Sequence, residues 1–155
     1  MIQLKRILVP TDFSDFSKRS IRYGCEFAKR FSAELHILNV VEDIYPIVPE
    51  PGIPTPITSE YLIGLKESSE RLIETLPDSD QAEGLSITRS VVSGTPFLEI
   101  IRYARENKID MIVIGTHGRS GLIHALMGSV AEKVVRKADC PVLTVRPEGH
   151  DFVMP

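Results

Sequence analysis

Short apolar runs rich in branched residues alternate along this chain with longer stretches whose apolar residues recur at helical spacing. Ile7-Leu8-Val9, closed by Pro10 and Thr11, reads as a buried strand. Leu35 to Val41, Leu85 to Val92, Met111 to Ile114 and Val142 to Val145 read as four more. Met111 to Ile114 is continuously apolar, which predicts a strand covered on both faces. Helical stripes fill the gaps. Ile21, Gly24, Cys25 and Ala28 follow a cap at Ser14 or Asp15. Leu62, Leu65, Ser69, Leu72 and Leu76 form a second stripe, stopped by Pro77. Phe97, Ile100, Ile101 and Ala104 form a third, opened by Thr95 as cap and Pro96 in the first turn. Ala131, Val134, Val135 and Ala138 form the last. Strands that alternate with helices select an α/β fold, a doubly wound parallel sheet with helices on both faces.

Composition narrows what such a fold does. A chain of 155 residues suits one domain, typically about 100–200 residues. Its two cysteines, Cys25 and Cys140, make no disulfide framework; reduced and partly buried, they point to a cytoplasmic location. Net charge is −3 and no Lys/Arg cluster stands out, so neither nucleic acid nor a membrane surface is an expected partner. No apolar run approaches the ~18 residues of a membrane helix. The run after Lys5 and Arg6 is shorter than the about 7–15 apolar residues of a secretory signal. The histidines and cysteines show no metal-ligand spacing, and the aromatic residues show no stacking platform. His36 alternates within the second strand and is expected to be structural.

Glu42 to Ser59 holds five of the 11 prolines and is neither helix nor central strand. It is either an extended surface linker or a lid or docking arm, since it leaves the carboxyl end of a strand.

The most informative stretch is Gly115-Thr116-His117-Gly118-Arg119-Ser120-Gly121, continued to Gly128-Ser129-Val130. It joins the end of the fourth strand to the start of the last helix. A strand, a glycine turn and a helix N-terminus make an anion site, because unpaired amides and the helix dipole both favour negative charge there. Ser129 can donate a hydroxyl hydrogen bond and Arg119 can offset phosphate charge. A bulky residue at Gly128 is expected to block backbone approach while the fold survives. By spacing alone, these glycines serve equally well to turn the chain and start a helix. The pattern is not a P-loop, because no Gly-Lys-Ser/Thr follows, and it is not the dinucleotide fingerprint. Asp12, at a strand's carboxyl end, is a candidate ribose or metal contact. His117 reaches a phosphate or faces solvent, and His124 is assigned no role.

Gly115, Gly118, Gly128 and Ser129 match G-x2-G-x9-G-S/T without a gap, and here the chain resembles the ATP-binding subgroup of the universal stress protein family. Ile7 to Ser14 resembles that family's first strand and turn, Leu38-Asn39-Val40-Val41 the end of its second strand, and Asp139 to Val145 its last strand. The likeness spans residues 4 to 147, with 1–147 as the domain and 148–155 as a tail that matches nothing. The resemblance implies a five-stranded sheet of order 3-2-1-4-5, of the adenine nucleotide alpha-hydrolase-like kind. It implies ATP, or ADP or AMP, as ligand, with Mg²⁺ carried by the nucleotide. Val40 would meet adenine through its backbone, and Pro10, Thr11 and Asp12 would border the adenosine. Gly115 would lie near the ribose, and Gly118, Arg119, Gly128, Ser129 and Val130 would hold the phosphates. It also implies a homodimer formed by antiparallel pairing of Val142 to Val145 with its copy.

Phosphoryl transfer needs a positioned nucleophile and charge compensation. The loop offers Arg119 but neither a lysine nor an obvious carboxylate base, so slow hydrolysis at most is expected. The expected function is a nucleotide-dependent stress-response regulator acting on a protein partner that the sequence does not name. Alternatives are a nucleotide enzyme, such as an ATPase or AMP-forming transferase, a flavin-carrying electron-transfer module, and a purely structural dimer.

Overall fold

A computed structural model describes residues 2–42, 59–117 and 127–146. The elements run β1 (Arg6–Thr11), α1 (Asp15–Phe31), β2 (Glu34–Glu42), α2 (Ser59–Ile73), α3 (Ser79–Ala82), β3 (Ile87–Gly94), α4 (Pro96–Glu106), β4 (Met111–Gly115), α5 (Ser129–Lys137) and β5 (Val142–Val145). The strands form one parallel sheet of order β3-β2-β1-β4-β5, the predicted order. Most of the proline-rich segment, the centre of the glycine loop and the tail lie outside the described residues.

Each face of the sheet has its own core. Ile7, Val9, Leu35, Ile37 and Val113 point to one face, where Ile21, Cys25 and Ala28 of α1 and Ile73 of α2 cover them. Leu8, Leu38, Ile112 and Ile114 point to the other, under Ile100 and Ala104 of α4 and Ala131 and Val134 of α5. Alternation along each strand produces this division. Each fully buried Ile or Leu contributes about 1.5–3 kcal/mol. Gly24 lets α1 settle on β1: a Cβ there would lie 2.4 Å from Val9 Cγ2.

Helix boundaries follow local chemistry, with three corrections. Ser14 is the N-cap of α1, its hydroxyl accepting from Ser17 N–H, and Ser32 closes the helix in the left-handed conformation. Thr95 occupies the N-cap of α4 before Pro96, but its side chain makes no cap hydrogen bond. In α2 the buried residue near the end is Ile73; Leu72 is 48% exposed and Leu76 lies beyond the helix. The apolar triplet of Leu72, Ile73 and Leu76 fits two neighbouring stripes, and packing against the α1-side core selects Ile73 and Leu76. β3 begins at Ile87 because Leu85 N–H is taken by Ala82 O in the turn after α3.

The register opens a crevice. β1 pairs with β2 along its whole length, to Thr11 opposite Asn39, but with β4 only at Ile7–Met111 and Leu8–Ile112. The carboxyl halves of β1 and β4 therefore diverge, and α1 and α5, which follow them, cover opposite faces. This is the switch point of an open α/β sheet. No helix among the described residues is long and apolar enough to cross a membrane.

Candidate functional site

A cavity of about 460 Å³ occupies that crevice. Pro10, Thr11, Asp12, Val40, Gly115, Gly128, Ser129 and Val130 all line it. Gly118 and Arg119 lie outside the described residues. Strand alternation divides the lining into two lobes. Toward α4 and α5 it is apolar, with Leu38, Val40, Ile100, Ile114 and Ala131. Toward α1 and α2 it carries Thr11, Ser17, Asn39 and Ser69 beside Leu65.

The polar lobe is built around the end of β1. Phe13 N–H donates to Thr11 Oγ1 at 3.1 Å. Ser17 Oγ donates to Ser14 O at 2.8 Å, so its contact with Thr11 Oγ1, at 2.9 Å, must be one in which Thr11 donates. Thr11 thus borders the cavity with its hydroxyl already committed inside the fold. Its carbonyl accepts from Asn39 Nδ2 at 2.8 Å. Asn39 is 4% exposed, and its Oδ1 has no partner among the described residues. Asp12 Oδ1 accepts from Ser14 N–H at 3.0 Å and from Ser14 Oγ at 2.5 Å, closing an Asx-turn that allows Phe13 its φ of 64°. That turn holds the Asp12 carboxylate at the cavity rim.

The other wall is the head of α5. Gly128 N–H donates to Thr116 O at 2.6 Å, tying together the two ends of the glycine loop. A Cβ on Gly128 would sit 3.1 Å from Thr116 O, and its φ of −67° is ordinary. Close packing, rather than a positive φ, is what favours glycine here: a side chain at this position would press on Thr116 at the base of the loop. As N-cap, Gly128 supplies no side-chain cap. Intrahelical bonding starts with Glu132 N–H on Gly128 O, which leaves Ser129, Val130 and Ala131 N–H without a partner inside the helix. All three residues line the cavity.

At the opposite side, Val40, Val41 and Glu42 extend β2 beyond the last β1 pair and, among the described residues, pair with Val92, Ser93 and Gly94 of β3. Their backbone groups on the β1 side border the crevice. Among the described lining residues the ionisable groups are Asp12, Glu42 and His117. His117 Nδ1 contacts Thr116 Oγ1 at 2.9 Å, and its ring lies 6.4 Å from that of Phe16. No cluster of His, Cys, Asp or Glu among the described residues is arranged to hold a metal ion.

A family model described as the universal stress protein family matches residues 3–146. The chain belongs to the universal stress protein family. It is 37% identical over 143 residues to the universal stress protein MJ0531 of Methanocaldococcus jannaschii, covering 92% of this chain and 82% of that one. The solved structure of protein MJ0577 from the same organism is 28% identical, covers 96% of this chain and 99% of its own, and superposes with a TM-score of 0.79. A universal stress protein solved in complex with cAMP is 25% identical, covers 93% and 98%, and has a TM-score of 0.68. The chain is thus a universal stress protein with a five-stranded parallel α/β fold and the stress-response role of that family.

Several cavity residues escaped sequence reasoning: Ser17, Leu65, Ser69, Ile100 and Asn39. The first four resemble any residue of a helix stripe. Asn39 carried a signal, a lone amide inside the apolar run from Leu35 to Val41. His36 is structural, as expected: 5% exposed, with Nδ1 on Tyr103 Oη at 3.0 Å and Nε2 3.5 Å from Glu34 Oε2.

Proposed function

We propose that this universal stress protein binds ATP, or a related adenine nucleotide, and acts as a nucleotide-dependent regulator through a protein partner. One observation carries the reading: three amides at the uncapped head of α5 open on a cavity whose other lobe is apolar. Phosphate suits the amides and the helix dipole. A flat base suits Leu38, Val40 and Ile100, with the backbone of Val40 at its edge. Gly115 and Asp12 then border the sugar, Ser129 adds a hydroxyl, and Gly118 and Arg119 complete the phosphate loop. The cAMP complex of a relative supports an adenine nucleotide as the ligand class. Mg²⁺ would ride on the phosphates and keep most of its waters.

Binding, rather than turnover, is the proposed activity. The hydroxyls of Thr11 and Ser17 and one oxygen of Asp12 are engaged in holding the β1–α1 turn. The protein acts in the cytoplasm as a homodimer. β5 lies at the sheet edge with Val142, Leu143 and Thr144 half-buried, a surface that pairing with a second copy would cover.

Isothermal titration with Mg-ATP, together with identification of any small molecule extracted from fresh protein, tests the reading. Saturable 1:1 heat or a copurified adenine nucleotide is expected; absence of both would sink it. Sedimentation at micromolar concentration should show a dimer, and partner capture should differ with and without a non-hydrolysable ATP analogue.

A further inference from the structure

Among the described residues two buried side-chain atoms lack a hydrogen-bond partner, His36 Nε2 and Asn39 Oδ1. His36 Nε2 at least faces the Glu34 carboxylate. Asn39 Oδ1 belongs to a residue that lines the cavity, and its orientation is set from the other end of the amide. Nδ2 donates to Thr11 O, so turning the amide over would place Oδ1 against that carbonyl oxygen. The neighbouring hydroxyls cannot serve it: Thr11 gives its proton to Ser17, and Ser17 gives its own to Ser14 O. Folded proteins leave few buried acceptors unpaired. One just behind the wall of a ligand-sized cavity points to a donor on the occupant.

The sheet order says which part of the occupant that is. Phosphates on the α5 amides lie beyond β4; β1 and then β2 follow, about 4.8 Å apart. Asn39 is therefore about 10 Å, two strand spacings, from the phosphate end. A nucleotide anchored on α5 places its sugar over β1 and its base against β2. There Leu38 and Val40, on the α4–α5 side, meet one face of the ring, and Asn39, from the α1–α2 side, meets its edge.

We propose that Asn39 selects the base: its buried, unpartnered carboxamide oxygen takes the exocyclic amine of a 6-aminopurine and disfavours a 6-oxopurine, which places an acceptor where that amine would be. The proposal rests on the nucleotide reading above. Oδ1 is sealed from water in this structure, so the occupant reaches it only with a local shift of the cavity wall. Leu65 and Ser69 line that wall from α2 and are half-buried, on a helix whose one fully buried residue is Ile73.

The test is calorimetric titration of the full chain with Mg-ATP and with Mg-ITP, inosine triphosphate, which replaces the amine by oxygen. ATP is expected to bind tighter on the order of tenfold or more. In Asn39→Leu the two affinities should converge to within about threefold. A purely structural role for Asn39 would weaken both nucleotides together and leave their ratio unchanged, and that result overturns the proposal. Should Asn39→Leu fail to fold, Asn39→Ala removes the acceptor without added bulk and should also bring the two affinities together; an unchanged ratio there also overturns the proposal. Equal binding of ATP and ITP to the unaltered protein overturns base selection alone. Binding of neither overturns the nucleotide reading, and this proposal with it.

Discussion

Of the helices that begin beside the crevice, α1 and α5 begin differently. α1 is closed by its own residues: Ser14 accepts from Ser17 N–H with both hydroxyl and carbonyl, and Asp12 in turn holds Ser14. α5 starts at a glycine and supplies no side-chain cap. A protein built only for stability would cap both, since a cap contributes about 0.5–2 kcal/mol. The contrast fits the function proposed above: the head of α1 is architecture, fixing the turn that carries Asp12, whereas the head of α5 leaves its amides to the anion of that proposal.

The largest test strikes the base of the glycine loop. Gly128→Val should destabilise the fold by about 1–3 kcal/mol through contact with Thr116 O and abolish nucleotide binding, read by denaturant melts and calorimetry together. Unchanged stability would show that the loop base yields easily and that the packing explanation of this glycine is wrong. Ser129→Pro is more selective. Proline is well accepted at the first helical position, and Gly128 already has the extended ψ of 150° that a following proline favours. It removes one amide donor while α5 persists. Relative to Ser129→Ala, which removes the hydroxyl alone, affinity for Mg-ATP should fall by about 1.5–3 kcal/mol, the usual worth of a hydrogen bond to a charged group. Equal affinities would mean that this amide does not face the ligand.

Ser14→Ala tests the other half of the comparison. It should cost about 1 kcal/mol of stability, visible in the urea midpoint, with a smaller effect on affinity transmitted through Asp12. A loss of binding greater than the loss of stability would make α1 part of the ligand site and erase the distinction.

The smallest effect lies at the opposite end of the sheet, where the buried His36 is enclosed by Tyr103 of α4, Glu34 and, farther out, Arg6. Burial holds its imidazole below the usual histidine range, against the opposing pull of Glu34. The unfolded chain therefore binds a proton before the folded one does. Stability should fall as pH drops below about 6.5, the ordinary histidine value, and the drop should flatten in His36→Gln. Urea melts at several pH values between neutrality and mild acid read this directly. An identical slope in the variant would assign the pH dependence to other groups.

These contrasts were unevenly visible in the chain itself. Gly128-Ser129 marked a helix start in the chain, but whether it served only to begin that helix or to hold a phosphate stayed open. Ser14 was one of two equal candidates for the α1 cap, and only hydrogen bonding to Ser17 chose between it and Asp15. The stripe of α2 was read correctly except at Leu72, whose place in the core Ile73 takes, since both are apolar and nothing local says which faces inward. Asn39 showed as an oddity in an apolar strand, but its partner Thr11 lies on a different strand, and its unpaired oxygen became visible only once both were placed.

Periodicity and turn chemistry by themselves determined the order of the strands and the four longer helices, though not the short α3, as well as the parallel sheet and the glycine loop at the carboxyl end of β4, because these depend on interactions between residues a few positions apart. Which strands part to make the crevice, how alternation divides it into an apolar and a polar lobe, and which buried groups are left wanting a partner were decided only by the tertiary structure. Those properties arise between segments remote in the chain, where pairing register and packing, rather than local preference, set the distance between one side chain and the next.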